Sequence, residues 1–176
     1  MTKNTPARYS PLMVTLHWLT VLLIFAAFAL GKYSSFLPND ASEIALLRTH
    51  MTLGNLTMVV LVVRFIVRMA SPRPAHASTG NAFLDGLGKV VHYALYLFAL
   101  LMAISGFSLA FKAGLTPILF EGIGTIPADL FVFTQRVVHG FIAPTLFLLI
   151  TLHVGAAFYH QLFIKDNLFA RIWYGK

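Results

Sequence analysis

Residues 137–164 read VVHGFIAPTLFLLITLHVGAAFYHQLFI, and this stretch decides the fold. Its 28 residues include no Lys, Arg, Asp or Glu. A helix needs roughly 20 residues to cross about 30 Å of hydrocarbon, so the stretch is long enough to span a bilayer. A strand would be far shorter and would alternate in polarity. Working outward, three more apolar runs of similar length occupy residues 12–30, 46–69 and 90–111. The first carries His17 and Trp18 and exceeds the core of a secretory leader, about 7–15 residues; no small-x-small cleavage pattern follows it, so it is read as a retained helix. Ser71-Pro72-Arg73-Pro74 stops the second helix, because proline lacks an amide proton and restricts its predecessor. The longest connection, 114–134, is itself apolar and is expected to fold over one mouth of the bundle. Residues 1–176 thus read as one all-α domain, a four-helix transmembrane bundle.

Composition agrees. Of 176 residues, 58% are hydrophobic and 11% charged, and the mean hydropathy is +0.78. A soluble domain carries about 25% charged residues, and a disordered chain would not hold 14% aromatics. Cysteine is absent, which excludes disulfides, thiolate metal sites, iron–sulfur clusters and thioether-linked haem.

The Lys/Arg distribution orients the bundle. With the N-terminus inside, Lys3, Arg8, Arg64, Arg68, Arg73, Lys89, Lys165, Arg171 and Lys176 are cytoplasmic, and Lys32, Arg48, Lys112 and Arg136 lie outside. Nine against four places the N-terminus and the C-terminus in the cytoplasm. Asp40, Glu43, Glu121 and Asp129 balance the outer cations, so the surplus of +7 sits inside and needs no nucleic acid to explain it. Tyr9, Trp18, Tyr93, Tyr159, Trp173 and Tyr174 gather at the inner ends, as an interfacial belt does.

Of seven histidines, only His76 lies in a connection. His139 and His153 are 14 residues apart, about 21 Å along one face of a helix. His160 continues that stripe toward the inner surface. Helix direction puts His50 near the depth of His139, His17 near that of His153, and His92 near that of His160. Two cross-bundle pairs result, His50 with His139 and His17 with His153. Facing imidazoles are what six-coordinate haem iron takes, and bundle cores hold such cofactors. A lone membrane histidine is more often an interhelical hydrogen-bonding residue; four matched in depth favour ligation. His92 and His160 stay open between a quinone or propionate contact and polar capping. Gly54, Gly140 and Gly155 would leave room for porphyrin faces, although small residues also occur at interfaces without cofactors. Arg48 and Arg136 outside, and Arg64 and Arg68 inside, suit propionates, while snorkelling to lipid phosphate is as natural for the inner two.

The chain resembles the bacterial cytochrome b561 family, in particular its small four-helix di-haem members. The residues that carry the resemblance are Leu16-His17-Trp18, Arg48-Thr49-His50-Met51-Thr52-Leu53-Gly54, Arg64-Phe65-Ile66-Val67-Arg68, His92-Tyr93-Ala94-Leu95-Tyr96, Ser105-Gly106, His139, Leu152-His153, His160 and Lys165-Asp166-Asn167. The resemblance implies two haem b groups, one per side of a bacterial inner membrane, held by His17, His50, His139 and His153. It implies electron exchange with ubiquinone, with His92 and His160 associated with that site. For chains of this size it implies superoxide oxidase activity, in which electrons from superoxide outside reach ubiquinone. Lys32, Arg48, Lys112 and Arg136 would then supply local positive potential for superoxide. Two other readings compete: a haem-b membrane anchor serving a periplasmic redox partner, and a haem-free transporter using its histidines for protons or a metal.

Overall fold

The computed structural model describes residues 6–38 and 41–175; Lys3, Asp40 and Lys176, counted in the charge balance, lie outside the described residues. Four long helices run Pro11–Ser34 (α1), Ala41–Ala70 (α2), Ala82–Lys112 (α3) and Thr134–Tyr159 (α4), and all four are long and apolar enough to cross a membrane. α1, α2 and α3 exceed the apolar runs that announced them and α4 starts three residues before its own, because helix ends are set by caps and not by hydropathy. Ser10 Oγ accepts from the Met13 amide ahead of Pro11. The Asn81 side chain accepts from the amides of Phe83 and Leu84, starting α3 eight residues before its apolar run. Asp85, one turn in, accepts from Ser78 Oγ at 2.6 Å and from the Thr79 amide at 2.7 Å, tying the 71–81 connection to the helix.

α4 passes into a wider five-residue turn, His160–Ile164, closed by the Lys165 amide on the His160 carbonyl at 2.7 Å. Lys165 and Asn167 then take left-handed backbone (φ 59° and 54°), which ends the helix within the Lys-Asp-Asn segment. A final short helix, Leu168–Arg171 (α5), returns the chain across the end that bears both termini. There the Tyr9 amide donates to the Arg171 carbonyl, Trp18 Nε1 donates to the Ile172 carbonyl, and Arg171 Nη1 donates to the Ala75 carbonyl, each at 3.0 Å. Trp18 meets Trp173 edge-on at 5.5 Å at this end.

α1 packs on α2, α3 on α4, and α2 on α3. Leu16, Leu23 and Val60 join α1 to α2, and Leu61, Ala99 and Leu146 join α2, α3 and α4. At the end opposite the termini, the 114–134 connection folds down over the bundle as its apolar composition predicts. A turn at Pro117–Glu121 buries Ile118 and Leu119 against Leu109, Ala110, Ala113 and Leu115. Many large apolar side chains face outward, among them Phe141 at 72% and Leu148 at 58% exposure. Such a surface suits lipid, not water. Leu119→Ala is expected to cost about 2–4 kcal/mol, since Leu119 is 1% exposed and packs within the apolar cluster beneath this connection. Thermal unfolding in detergent followed by circular dichroism checks this, with Leu148→Ala expected to move the midpoint little.

Candidate functional site

The histidines on the helices converge at two levels. At the end opposite the termini, the ring centres of His50 (α2) and His139 (α4) are 6.1 Å apart with planes at 88°. At the terminal end, those of His17 (α1) and His153 (α4) are 6.5 Å apart with planes at 61°. A metal bonded to one nitrogen of each ring at about 2.0–2.1 Å would separate ring centres by roughly 6–6.5 Å. Both pairs meet that requirement, and rotation about the shared axis leaves the interplanar angle free. Both pairs are therefore spaced as two imidazoles that would hold one haem iron between them. Among the described residues, no three or more His, Cys, Asp or Glu side chains converge as a free metal ion would require.

The surroundings of the first pair fix ring orientation. His50 Nδ1–H donates to the Ala27 carbonyl at 2.7 Å. Gly31, one turn further along α1, brings the backbone so close that a Cβ there would lie 2.8 Å from His50 Cε1 and Nδ1. His139 Nδ1–H donates to Ser105 Oγ at 3.0 Å, whose own proton goes to the Met102 carbonyl at 2.9 Å. A Cβ on Gly106 would sit 3.0 Å from His139 Cε1. Acceptors on Nδ1 leave Nε2 with its lone pair, the tautomer a ligand needs. Beside the pair, a cavity of about 860 Å³ including its open mouth is lined by His50, Gly54, Gly106, His139, Phe28 and Phe147, among others.

Several expected placements change. Gly54 does open onto the cavity, but a Cβ on Gly140 would meet Arg136 Nη1 at 2.9 Å, so that glycine makes room for the arginine. Gly155 lines a separate apolar groove with Phe25, Phe147 and Phe158. Depth along the helices sets His92 level with His160; its ring instead lies 5.0 Å from that of His153. The reason is the early start of α3, which puts ten residues, about 15 Å of helix, ahead of His92. At 5.0 Å the two rings are in edge contact, too close to hold an iron between them. His160 is buried and donates from Nδ1 to Asp166 Oδ2 at 2.9 Å, and Arg171 Nη2 lies 3.7 Å from the same oxygen.

The arginines are also engaged. Arg48 Nε donates to the Leu119 carbonyl, and Arg136 lies 4.6 Å from the centre of the Phe131 ring, so both grip the connection that covers the mouth. Arg64 donates to His17 Nδ1 at 2.8 Å and, like Arg68, lies over the Tyr96 ring. This contact leaves the His17 proton on Nε2, the opposite tautomer to His50 and His139, so Arg64 would have to turn away for His17 Nε2 to bind iron. No signal in the sequence alone gives Gly31, Ser105, Gly106 and Tyr96 these roles. Only knowledge of which helices pair could have exposed them, although Ser105-Gly106 and Tyr96 already stand within the resembling segments.

A profile of the family described as prokaryotic cytochrome b561 matches residues 8–175. Cytochrome b561 homolog 2 of Escherichia coli (strain K12) is 28% identical over 180 residues, covering 96% of this chain and 93% of its own. Probable superoxide oxidase CybB of Yersinia pestis is 26% identical, covering 94% and 95%. Cytochrome b561 homolog 1 of Escherichia coli (strain K12) is also 26% identical, covering 94% and 96%. Four membrane-length helices, paired intramembrane imidazoles and a family match over nearly its whole length make this chain a member of the prokaryotic cytochrome b561 family, a multi-pass b-type cytochrome of electron transfer.

Proposed function

We propose that the protein is a di-haem superoxide:ubiquinone oxidoreductase of the bacterial inner membrane, with both termini cytoplasmic. The observation that carries this reading is the separation of two imidazole pairs, 6.1 Å and 6.5 Å between ring centres, at opposite ends of the bundle. Two haem b groups, when bound, would supply one-electron carriers near each surface. His50 and His139 would hold the outer one, and His17 and His153 the inner one. In the net reaction two superoxide anions each lose one electron and leave as dioxygen. One ubiquinone takes those two electrons with two protons and becomes the quinol.

The substrate assignment draws support from the superoxide oxidase name of one relative and from the cations at the outer end. Arg48 and Arg136, fastened to the covering connection, would keep positive charge at the mouth while bulky donors are kept out. Lys32 and Lys112 add to that field. At the inner end His160, oriented by Asp166, would donate to a quinone oxygen from Nε2 when that nitrogen also carries a proton, and would hand over that proton as the quinol forms. His92, against His153, would border the same region.

Replacing Arg48 or Arg136 by glutamine is expected to slow superoxide-driven haem reduction several-fold at low salt, with the difference shrinking as salt rises. Stopped-flow absorbance after mixing with superoxide measures it. Equal rates at low salt would argue against cation steering, and reduction by a periplasmic redox partner but not by superoxide would favour the membrane-anchor reading.

A further inference from the structure

Backbone and side-chain costs gather around one carboxylate at the terminal end of the bundle. Among the described residues, Lys165 and Asn167 are the two non-glycine residues with left-handed backbone, at φ 59° and 54°, and they flank Asp166. Asp166 Oδ1 is buried with no protein donor. Glycine would take such backbone more cheaply, and ending a helix needs no carboxylate. Costs of this kind persist where function uses what they hold in place.

Here they hold the aim of Asp166. Its Oδ2 accepts from His160 Nδ1 at 2.9 Å and lies 3.7 Å from Arg171 Nη2. Arg171 is itself fastened, since Nη1 donates to the Ala75 carbonyl and its own carbonyl accepts from the Tyr9 amide. The His160 and Asp166 side chains are 11% and 19% exposed, so little water screens their charges from each other. Asp85, at the start of α3, is within electrostatic reach of His160, but its carboxylate is taken up by Ser78 and Thr79. With Nδ1–H given to Asp166, Nε2 is the nitrogen left to meet a substrate. A carboxylate behind an imidazole keeps the ring oriented and balances its positive charge when both nitrogens are protonated.

Resting on the quinone-reducing reading above, we infer that Asp166 is a positioning residue whose charge makes His160 the proton donor for quinone reduction, acting through the ring and not on electron transfer. Two electrons and two protons turn the two quinone carbonyls into hydroxyls. The His160 Nε2–H bond breaks as one O–H bond forms, and water at the terminal end supplies the other proton. The same water returns a proton to Nε2 after the quinol leaves. An acceptor that takes electrons without protons gains nothing from this pair.

The test compares the two kinds of acceptor. Purified, haem-loaded protein is reduced with stoichiometric dithionite, mixed in a stopped-flow cell with a short-chain ubiquinone or with ferricyanide, and followed in the α band. Asp166→Asn keeps an acceptor for Nδ1–H and removes the charge. It is expected to slow oxidation by the quinone about tenfold and to leave oxidation by ferricyanide at the wild-type rate. His160→Gln is expected to slow the quinone step at least as much. The double variant should be no slower than His160→Gln alone, because Asp166 acts through that ring. Asp166→Glu, which keeps the charge, is expected to restore the quinone rate to within about threefold of wild type. A wild-type quinone rate in Asp166→Asn, equal slowing with both acceptors, or a double variant slower than His160→Gln would overturn the inference. So would an Asp166→Glu chain that retains haem yet is as slow as His160→Gln, a comparison that decides the matter even where Asp166→Asn fails to hold haem. A wild-type protein that the quinone does not oxidise, or an unaffected His160→Gln, would defeat the reading of His160 as a quinone contact, and this inference with it.

Discussion

Alanine at His139 is expected to leave a folded chain that carries one haem b where the wild type carries two. His139 faces His50 with ring centres 6.1 Å apart, and the other five histidines lie elsewhere in the chain, so no nearby imidazole can take its place. The fold should survive, because the residues that close this end are apolar. Leu109, Ala110, Ala113, Leu115, Ile118 and Leu119 pack together independently of the ring. The haem-to-chain ratio should therefore halve while the helical circular dichroism spectrum is retained. A ratio equal to wild type would remove His139 from the ligand set.

A branched side chain at Gly31 is the second change with a large expected effect. The ring of His50 lies across α1 between Ala27, whose carbonyl accepts its Nδ1–H at 2.7 Å, and Gly31, where a Cβ would stand 2.8 Å from two ring atoms. Contacts under about 3 Å are repulsive, and the neighbour here is a ring clamped by a hydrogen bond, not a flexible chain end. Gly31→Val must therefore push the imidazole off its axis and break the bond to Ala27. Disturbing a partner that orients a ligand typically costs 10–100-fold in metal affinity, and that range is expected for haem retention at the His50/His139 level. Gly106→Val, with a clearance of 3.0 Å to His139 Cε1, should act in the same sense and less strongly. Gly86→Val is the control, since nothing lies within 4 Å of a Cβ there. Haem content after exchange against excess apomyoglobin would measure all three.

The bundle was readable from residue chemistry because two periodic signals coincide. Runs such as 137–164 are too long and too apolar for any other element, and helical spacing carries His139 and His153 onto one face. Helix ends were less legible. Hydropathy marks the part of α3 that suits lipid, whereas Asn81 and Asp85 mark where the helix begins. That difference moves His92 from the level of His160 to contact with His153. His160 departs for another reason: the wider turn that starts there, together with its bond to Asp166, draws it toward the C-terminal segment. The close approaches at Gly31 and Gly106 depend on which helix lies against which ring, a property of the assembled bundle that no single stretch of chain encodes.

The central claim is that imidazoles from different helices grip two separate iron porphyrins. The most direct measurement is the haem b content per chain of the purified protein, from reduced-minus-oxidised and pyridine haemochrome spectra against a protein determination. The account predicts two haem b per chain. A value of one or none, after growth with adequate haem, would contradict it.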